Sequence, residues 1–321
     1  MKAAEFQRIL EDVLREKQSS LTFTADGVSY TRNFRPRERL ILLGGGHISR
    51  EVCRFASELD FAVTVADDRP EFSERARFPE AEETLCAPFP IAIARLGVQE
   101  SDYVAVVTRG HSCDADCLRS LLAGPQPRYL GMIGSRRRVA GLMRLLGEEG
   151  FPRDRLAAVN APIGLDIGAL TVREIAISIL AQLIAFRRKD TCRRPGSGVL
   201  VTENAEAPLL RLLADEKRRK CLLLVLETSG STPVKSGAMM ALDEDYRTAG
   251  TIGGGCSESQ LLSDAYFLIG TGREVCAEVN LSNDVAAREG MVCGGTMKVL
   301  LADVTGAQAG DSKDMAGKNK C

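Results

Sequence analysis

Four short glycine-rich segments and two histidines carry the residues of this sequence best suited to chemistry. The first segment, GGGHIS (44–49), follows an apolar run and opens a helical pattern. Gly44 and Gly46 take the first two positions of a G-x-G-x-x-G fingerprint, and Ser49 takes the third. Bare backbone at a helix N-terminus binds phosphate, because its free N–H groups point at the anion. The spacing predicts a nucleotide-type site that includes His47.

Acidic and imidazole side chains follow later strands of the same half. Asp67 and Asp68 end the run AVTVAD, where an acid binds a ribose 2′-hydroxyl in dinucleotide-binding folds. His111 lies in TRGHSCDADC (108–117) and is a candidate pocket residue. The cysteines and aspartates of that segment are also candidate metal ligands. Alternatively, the segment simply starts a helix that Asp114 caps.

Two further segments of this half have the composition of loops that lead from a strand into a helix. IGSRRR (133–138) offers Ser135 as a helix cap and Arg136 as a positive charge beside the helix N-terminus. This combination predicts an anion site, and a solvated helix face is the simpler interpretation. APIGLDIGALT (161–171) predicts a tight loop before a helix that begins with a Thr171 capping box.

The other three glycine-rich segments lie in the C-terminal half. ETSGSTPVKSGAMM (227–240) offers N–H groups around Ser231 for a phosphate, or forms a plain hairpin loop. TIGGGCSESQ (251–260) and EGMVCGGTMK (289–298) each place glycines beside a thiol. Glycines let a large ligand approach the backbone, and thiolates suit soft metals. The alternative is tight turns with incidental cysteines. The candidates are Gly253, Gly254, Gly255, Cys256, Cys293, Gly294 and Gly295.

The elements that must position these residues follow from hydrophobic periodicity. An amphipathic helix is predicted over 2–17, and the alternation around Asp26 and Gly27 predicts a hairpin. Strands then alternate with helices, which predicts a doubly wound parallel sheet. Its strands are placed at 40–45, 62–67, 103–108 and 129–134, with ETLCA as a weak strand between the second and third.

The predicted fold class is α/β, with a Rossmann-type parallel sheet domain followed by a smaller α/β domain. The boundaries are an N-terminal helix and hairpin (1–35), the Rossmann-type domain (36–190), a linker (191–207), the smaller domain (208–305) and a disordered tail (306–321). The linker and the tail are assigned from their turn-forming and polar composition.

Composition narrows the class of protein. The 321 residues have a formal net charge of −1, which argues against a nucleic-acid partner. No apolar run is long enough to span a bilayer, and the charged N-terminus is not a secretory signal, so we expect a cytoplasmic protein. The ten cysteines include no CxxC pair. Cys53, Cys221 and Cys276 lie in apolar periodic runs and are predicted to fill cores.

Taken together, these segments resemble the XdhC/CoxI family of xanthine dehydrogenase accessory proteins. The Rossmann part of that family is recognised in LILLGGGHIS, VTVADDRPEF, RFPEA, TRGH, YLGMIGSRRR and PIGLDIGALTVREIAISILAQLIAFR. The CoxI-like part is recognised in ETSGSTPVKSGAMM, GTIGGGCSESQL and GMVCGG. Here the Rossmann domain precedes the CoxI-like domain, the reverse of the usual order. The loop after the fourth strand also departs from the family pattern at Arg109 and Ser112.

The resemblance implies a chaperone that binds molybdenum cofactor (molybdopterin) and assists its sulfuration and insertion into a xanthine dehydrogenase-type molybdenum hydroxylase. Cys256, Cys293 and the glycines around them carry over as candidate cofactor contacts, and the two thiols as candidate ligands of the molybdenum. A cysteine desulfurase-type sulfur donor and a homodimer are further expectations. The Rossmann site is expected to bind NAD(P) or another nucleotide.

Two other functions remain open on the sequence. An NAD(P)-dependent oxidoreductase would use the glycine fingerprint, although the chain lacks a Tyr-x-x-x-Lys pair and has only two histidines. A redox-sensing regulatory protein would use its cysteines and predicts a reversible disulfide.

Overall fold

The computed structural model describes residues 1–15, 17–189, 200, 203–204, 206–254, 256–280 and 295–305. The chain divides into two compact units. The central unit is Arg37–Cys192, and the flanking unit combines Met1–Pro36 with Arg193–Cys321. The predicted N-terminal helix and hairpin therefore belong to the same unit as the predicted smaller domain. The predicted tail and most of the predicted linker lie outside the described residues.

The flanking unit begins with α1 (Ala3–Leu14), β1 (Ser19–Ala25) and β2 (Val28–Arg35). The predicted hairpin is confirmed, since β1 and β2 pair antiparallel up to Ala25 opposite Val28. Asp26 (φ 49°) and Gly27 (φ 77°) form the two-residue turn. Both need a left-handed backbone, which Asp-Gly tolerates better than most pairs.

The central unit is the predicted doubly wound fold. Its elements are β3 (Glu38–Leu43), α2 (His47–Glu58), β4 (Phe61–Asp67), α3 (Pro70–Ser73), β5 (Glu83–Cys86), α4 (Phe89–Leu96), β6 (Tyr103–Val106), α5 (His111–Ala123), β7 (Tyr129–Met132), α6 (Arg136–Glu148), α7 (Arg153–Ala157), β8 (Val159–Asn160) and α8 (Val172–Arg188). The six strands form one parallel sheet in the order β5-β4-β3-β6-β7-β8. The weak strand ETLCA is the edge strand β5, and its partial exposure explains its poor apolar pattern.

The central sheet is apolar on both faces, because helices cover both sides. Ile41 and Leu43 of β3 pack with α4, α5 and α6, while Leu40 and Leu42 pack with α2 and α8. A continuous apolar run is typical of such a central strand. The capping box of Thr171 is confirmed at the start of α8.

The rest of the flanking unit is built on an antiparallel sheet. Its elements are β9 (Glu203–Asn204), α9 (Ala207–Ala214), β10 (Lys220–Ser229), β11 (Met239–Asp243), β12 (Thr248–Gly250), α10 (Cys256–Leu268), β13 (Glu274–Asn280) and β14 (Thr296–Val304). Five strands form a sheet in the order β12-β11-β10-β14-β13, and β9 joins the hairpin in a second sheet. One face of the large sheet packs against α1, α9 and the hairpin, and the other packs against α10. The fold class is confirmed. Among the described helices, none has the length and apolarity needed to cross a membrane.

Candidate functional site

Three helices of the central unit begin at the same edge of the sheet. α2, α5 and α6 follow β3, β6 and β7, which are parallel neighbours, so their N-termini lie side by side. His47 and His111 are the first residues of α2 and α5, and Arg136 is the first residue of α6; all three are exposed. This is the edge at which doubly wound sheets bind ligands. The fold thus gathers the predicted residues of this half.

The glycine loop is tightly packed at two of its three positions. A Cβ on Gly44 (φ 111°) would lie 2.3 Å from the carbonyl oxygen of Val107, and one on Gly45 would lie 1.8 Å from that of Phe72. Gly46 has open space around it and caps α2. Gly45 fills the variable position of the fingerprint, so the motif gave no signal that this residue is constrained. The only glycine of the three with room for a ligand is Gly46.

The carboxylate of Asp67 is fully hydrogen-bonded within the chain. Its Oδ2 accepts from the backbone N–H of Gly45 at 2.8 Å and from Nη2 of Arg69 at 3.1 Å. Its Oδ1 accepts from the backbone N–H and the Nε of Arg69, at 3.0 and 2.9 Å. Four bonds fill the lone-pair sites of a carboxylate. A ribose hydroxyl would have to displace one of them.

An exposed ion pair joins the loops that follow β4 and β6. Arg109 donates from both terminal nitrogens to the carboxylate of Asp68, at 2.9 Å for the Nη2–Oδ2 bond. This hydrogen-bonded guanidinium holds the pKa of Asp68 below its usual value. Arg69 lies over the ring of Phe72, with its guanidinium carbon 3.5 Å from the ring centre. Arg109, where the chain departs from the family pattern, therefore links the loops after β6 and β4 through its ion pair with Asp68.

The proposed cap at Asp114 is wrong. α5 begins at His111 with Gly110 as its N-cap, and Asp114 is completely buried in the first turn. It accepts hydrogen bonds from Thr108 and from Arg138, which ties α5 to the start of α6. Burial raises the pKa of Asp114. Among the described residues, no group of three or more histidine, cysteine or acidic side chains could hold a metal, which counts against a metal in 108–117.

In the segment IGSRRR, the structure shows a helix cap and an exposed ion pair. Ser135 caps α6 as predicted, accepting from the backbone N–H of Arg138 at 3.3 Å. Arg136 pairs with Asp166 at 3.0 Å, and the two side chains are 85% and 83% exposed. A pair so exposed contributes little to stability, because water screens it. It does place the IGSRRR and APIGLDIGALT loops next to each other.

In the flanking unit, the fold brings three glycine-rich segments together. A Cβ on Gly253 (φ 120°) would lie 2.5 Å from Cγ of Pro233. A Cβ on Gly295 would lie 2.6 Å from the carbonyl oxygens of Ser229 and Ser231. The described residues of 227–240, 251–260 and 289–298 therefore meet where β10 ends and β14 begins. Gly253 and Gly295 have a packing reason to be glycine that is independent of any ligand.

A glutamate in the first turn of α10 accepts hydrogen bonds from the loop that precedes the helix. Gly254 (φ 73°) donates its N–H to Oε2 of Glu258 at 2.8 Å, and the hydroxyl of Thr251 donates to the same oxygen at 3.3 Å. Cys256 is the first residue of α10. Its side chain lies outside the described part of the structure, as do Gly255, Cys293 and Gly294. Beside these segments opens a cavity of about 310 Å³ that includes Ser229 and Thr296 in its lining.

The fold and site define a two-unit α/β protein in which a Rossmann-type unit is joined to an antiparallel unit with clustered glycines. The chain belongs to the XdhC/CoxI family. The model described as the XdhC Rossmann domain matches residues 40–183, and the model described as the XdhC and CoxI family matches residues 213–279. The order of the two matches confirms that the Rossmann domain comes first.

Individual relatives match about half of the chain. It is 36% identical over 152 residues to a protein of Escherichia coli K12 called uncharacterized protein YqeB, covering 47% of this chain and 28% of the relative. It is 28% identical over 160 residues to a probable xanthine dehydrogenase subunit of Bacillus subtilis 168, covering 50% and 46%. A solved structure titled xanthine dehydrogenase (BH1974) from Bacillus halodurans is 34% identical over 51% of this chain and 49% of that one, with a TM-score of 0.45. The chain spans less than half the length of these curated relatives.

Proposed function

We propose that this chain is an accessory protein that binds molybdenum cofactor and assists its sulfuration and insertion into a xanthine dehydrogenase-type molybdenum hydroxylase. Membership of the XdhC/CoxI family supports this function. So does the name of the Bacillus subtilis relative, which refers to xanthine dehydrogenase. The observation that carries the proposal is the match of residues 213–279 to the XdhC and CoxI family, because this range contains the glycine-rich segments 227–240 and 251–260 beside the cavity.

The described residues near these segments fit a phosphate-bearing pterin dithiolene in their chemistry. Ser229 and Ser231 offer exposed hydroxyls, and the cavity of about 310 Å³ lies at the small end of the range for ligand pockets. Cys256 begins α10, directly after the loop that contains Gly253 and Gly254. When bound, the cofactor supplies the molybdenum centre at which the client enzyme does its chemistry. The chain's own task is to hold it and exclude water.

The central unit supports an NAD(P)-dependent oxidoreductase less well. An NAD-dependent enzyme of this fold uses an acid at the end of β4 for the ribose, and Asp67 has both oxygens occupied by Gly45 and Arg69. Hydride transfer from NADH or NADPH to an acceptor by the purified protein would revive this function. A nucleotide at Gly46, bound without Asp67, stays a prediction.

The test is anaerobic purification of the full chain from a molybdenum-replete host. Bound pterin is oxidised and read by its fluorescence, and molybdenum is measured in the same sample. We expect both in the wild-type protein, and less of both after Cys256→Ser or Cys293→Ser. Cys86→Ser is the matched control, because Cys86 is exposed and lies in the central unit.

The outcomes separate the function from the thiol contacts. A wild-type protein that carries neither pterin nor molybdenum would overturn the proposed function. Unchanged retention in both thiol variants would overturn only the assignment of Cys256 and Cys293. Co-purification with a molybdenum hydroxylase or with a cysteine desulfurase tests the two expected partners, and light scattering tests the expected homodimer.

A further inference from the structure

One face of the large sheet in the flanking unit changes from apolar to polar within continuous strands. β14 lies between β10 and β13, so its residues pair with both neighbours. Directly paired residues share a face, and residues two apart along a strand return to it. Two successive rows across the three strands are polar at every position: Glu227–Lys298–Glu278, then Ser229–Thr296–Asn280.

The preceding row on this face belongs to the core. Leu300 pairs with Leu224 and with Cys276, and this row packs toward α1 and α9. A register shift between Val225 and Glu227 brings Glu227 opposite Lys298. The cavity of about 310 Å³ begins where the core ends, and all six polar residues line it, together with Thr228, Met297 and Val279 of the intervening row. Three strands therefore present a polar floor to an open space.

Two of the three charged side chains on this floor have partners within the chain, and the third has none among the described residues. Lys298 pairs with Asp26 of the hairpin, with 2.7 Å between Nζ and Oδ2, and Tyr30 donates its hydroxyl hydrogen bond to Glu227. The bond to Asp26 raises the pKa of Lys298, so its ammonium stays charged. Glu278 is exposed and has no hydrogen-bond or ion-pair partner among the described residues. The floor thus holds one carboxylate ready to accept, next to one fixed donor.

A carboxylate beside an ammonium complements a ligand edge that offers two adjacent N–H groups followed by an oxo group. We propose that this cavity binds the 2-amino-4-oxopyrimidine edge of a heterocycle, with Glu278 accepting its two N–H groups and Lys298 donating to its oxo group. Pterins and guanine share this edge. The inference rests on the proposed function, in which the pterin of molybdenum cofactor is the ligand.

The net charge of the cavity sets the direction in which such a ligand would lie. Glu227, Glu278 and Asp26 surround the single positive charge of Lys298, so a phosphate is repelled from the floor. The heterocycle therefore occupies the floor, and the anionic end points past Ser229, toward the hydroxyls and glycines of the adjoining loop.

The test measures binding of small probes to the purified full chain by titration calorimetry. The probes are 6-hydroxymethylpterin and guanosine, with lumazine and adenosine as controls that lack the 2-amino-4-oxo edge. We expect Glu278→Gln to weaken binding of the pterin or of guanosine at least about tenfold, because it replaces a charged acceptor. Glu274→Gln is the matched control, since Glu274 is also exposed on β13 but lies outside the cavity.

The results distinguish this inference from the proposed function. Binding that depends on Glu278 supports the cavity, and the tighter of the two probes identifies the source of the edge. Equal binding of pterin and lumazine would overturn the inference, as would an unchanged Kd in Glu278→Gln. If the wild-type protein purifies with molybdenum and pterin while Glu278→Gln retains both fully, the inference fails and the function stands. If the protein never carries molybdenum but binds the free probe in a way that depends on Glu278, the inference stands and the proposed function fails.

Discussion

Replacing Gly45 by alanine should damage the central unit far more than the same change at Gly46. The fingerprint predicts the reverse, because it treats position 45 as free and position 46 as glycine. In the structure a Cβ on Gly45 would lie 1.8 Å from the carbonyl oxygen of Phe72, whereas Gly46 has nothing within 4 Å. Carbon and oxygen need more than 3 Å, so the backbone around Phe72 must move by more than an ångström.

The size of the effect follows from the bonds that this movement breaks. The N–H of Gly45 donates to Asp67 at 2.8 Å, and its carbonyl oxygen accepts from Nε of Arg77 at 3.0 Å. Hydrogen bonds to charged groups contribute about 1.5–3 kcal/mol each, and overpacking costs about 1–3 kcal/mol. With partial relaxation, we expect Gly45→Ala to lower the free energy of unfolding by about 3–5 kcal/mol. Gly46→Ala replaces a tolerable helix cap by a poor one, at a cost of about 0.5–1 kcal/mol.

The assay must report on the central unit alone, because a chain with two units has no single unfolding transition. Urea unfolding followed by hydrogen exchange of peptides from β3 and β4 meets this need. A urea dependence of about 2 kcal/mol per molar converts the expected loss into a midpoint lowered by roughly 2 M for Gly45→Ala. For Gly46→Ala the shift should be no more than about 0.5 M. Equal midpoints for the two variants would refute the close approach of Phe72 to the glycine loop.

Three further predictions rest on single contacts. Alkylation of the native protein by iodoacetamide near pH 8, mapped by mass spectrometry, should label the exposed Cys86 and leave Cys53 unlabelled. Cys53 is fully buried, and burial raises its pKa to about 12. Labelling of both cysteines would contradict the packing of α2. Burial, with help from Glu227, raises the pKa of Tyr30 to about 12. Between pH 10 and 12 the folded state therefore keeps this proton while the unfolded state loses it, so stability falls as pH rises through that range. Ultraviolet titration should show one tyrosine that ionises only near pH 12, and Tyr30→Phe should remove that signal. Thr171→Ala should cost about 1 kcal/mol by removing the cap of α8, read as faster exchange in its first turn; unchanged exchange would count against the capping box.

Much of the central unit could be predicted because its signals are local. The run LILL, the helix caps at Ser135 and Thr171, and the Asp-Gly hairpin each follow from neighbours in sequence, and all appear as expected. β5 and β8 gave little signal, because both lie at sheet edges and are short. Core filling was correct for Cys53 and Cys221, while Cys276 is only partly buried.

The candidate sites divide in the same way. Sequence spacing located the sheet edge at which α2, α5 and α6 begin, and the glycine-rich segments of the flanking unit. It missed Gly45, whose constraint comes from Phe72, a residue 27 positions away. It also gave Asp114 the role of a cap, because nothing in TRGHSCDADC shows that Arg138 lies beside it.

The sequence by itself determined the alternation of strands and helices, the glycine-rich turns and the family to which the chain belongs. These depend on hydrophobic period, on backbone freedom and on motifs that a few consecutive residues carry. Only the tertiary structure decided that Asp67 is already saturated, that Gly253 and Gly295 are packing positions, and that six polar residues form one floor across β10, β14 and β13. Each of these depends on strand register and on contacts between distant segments, and register is set by the packing of the whole sheet.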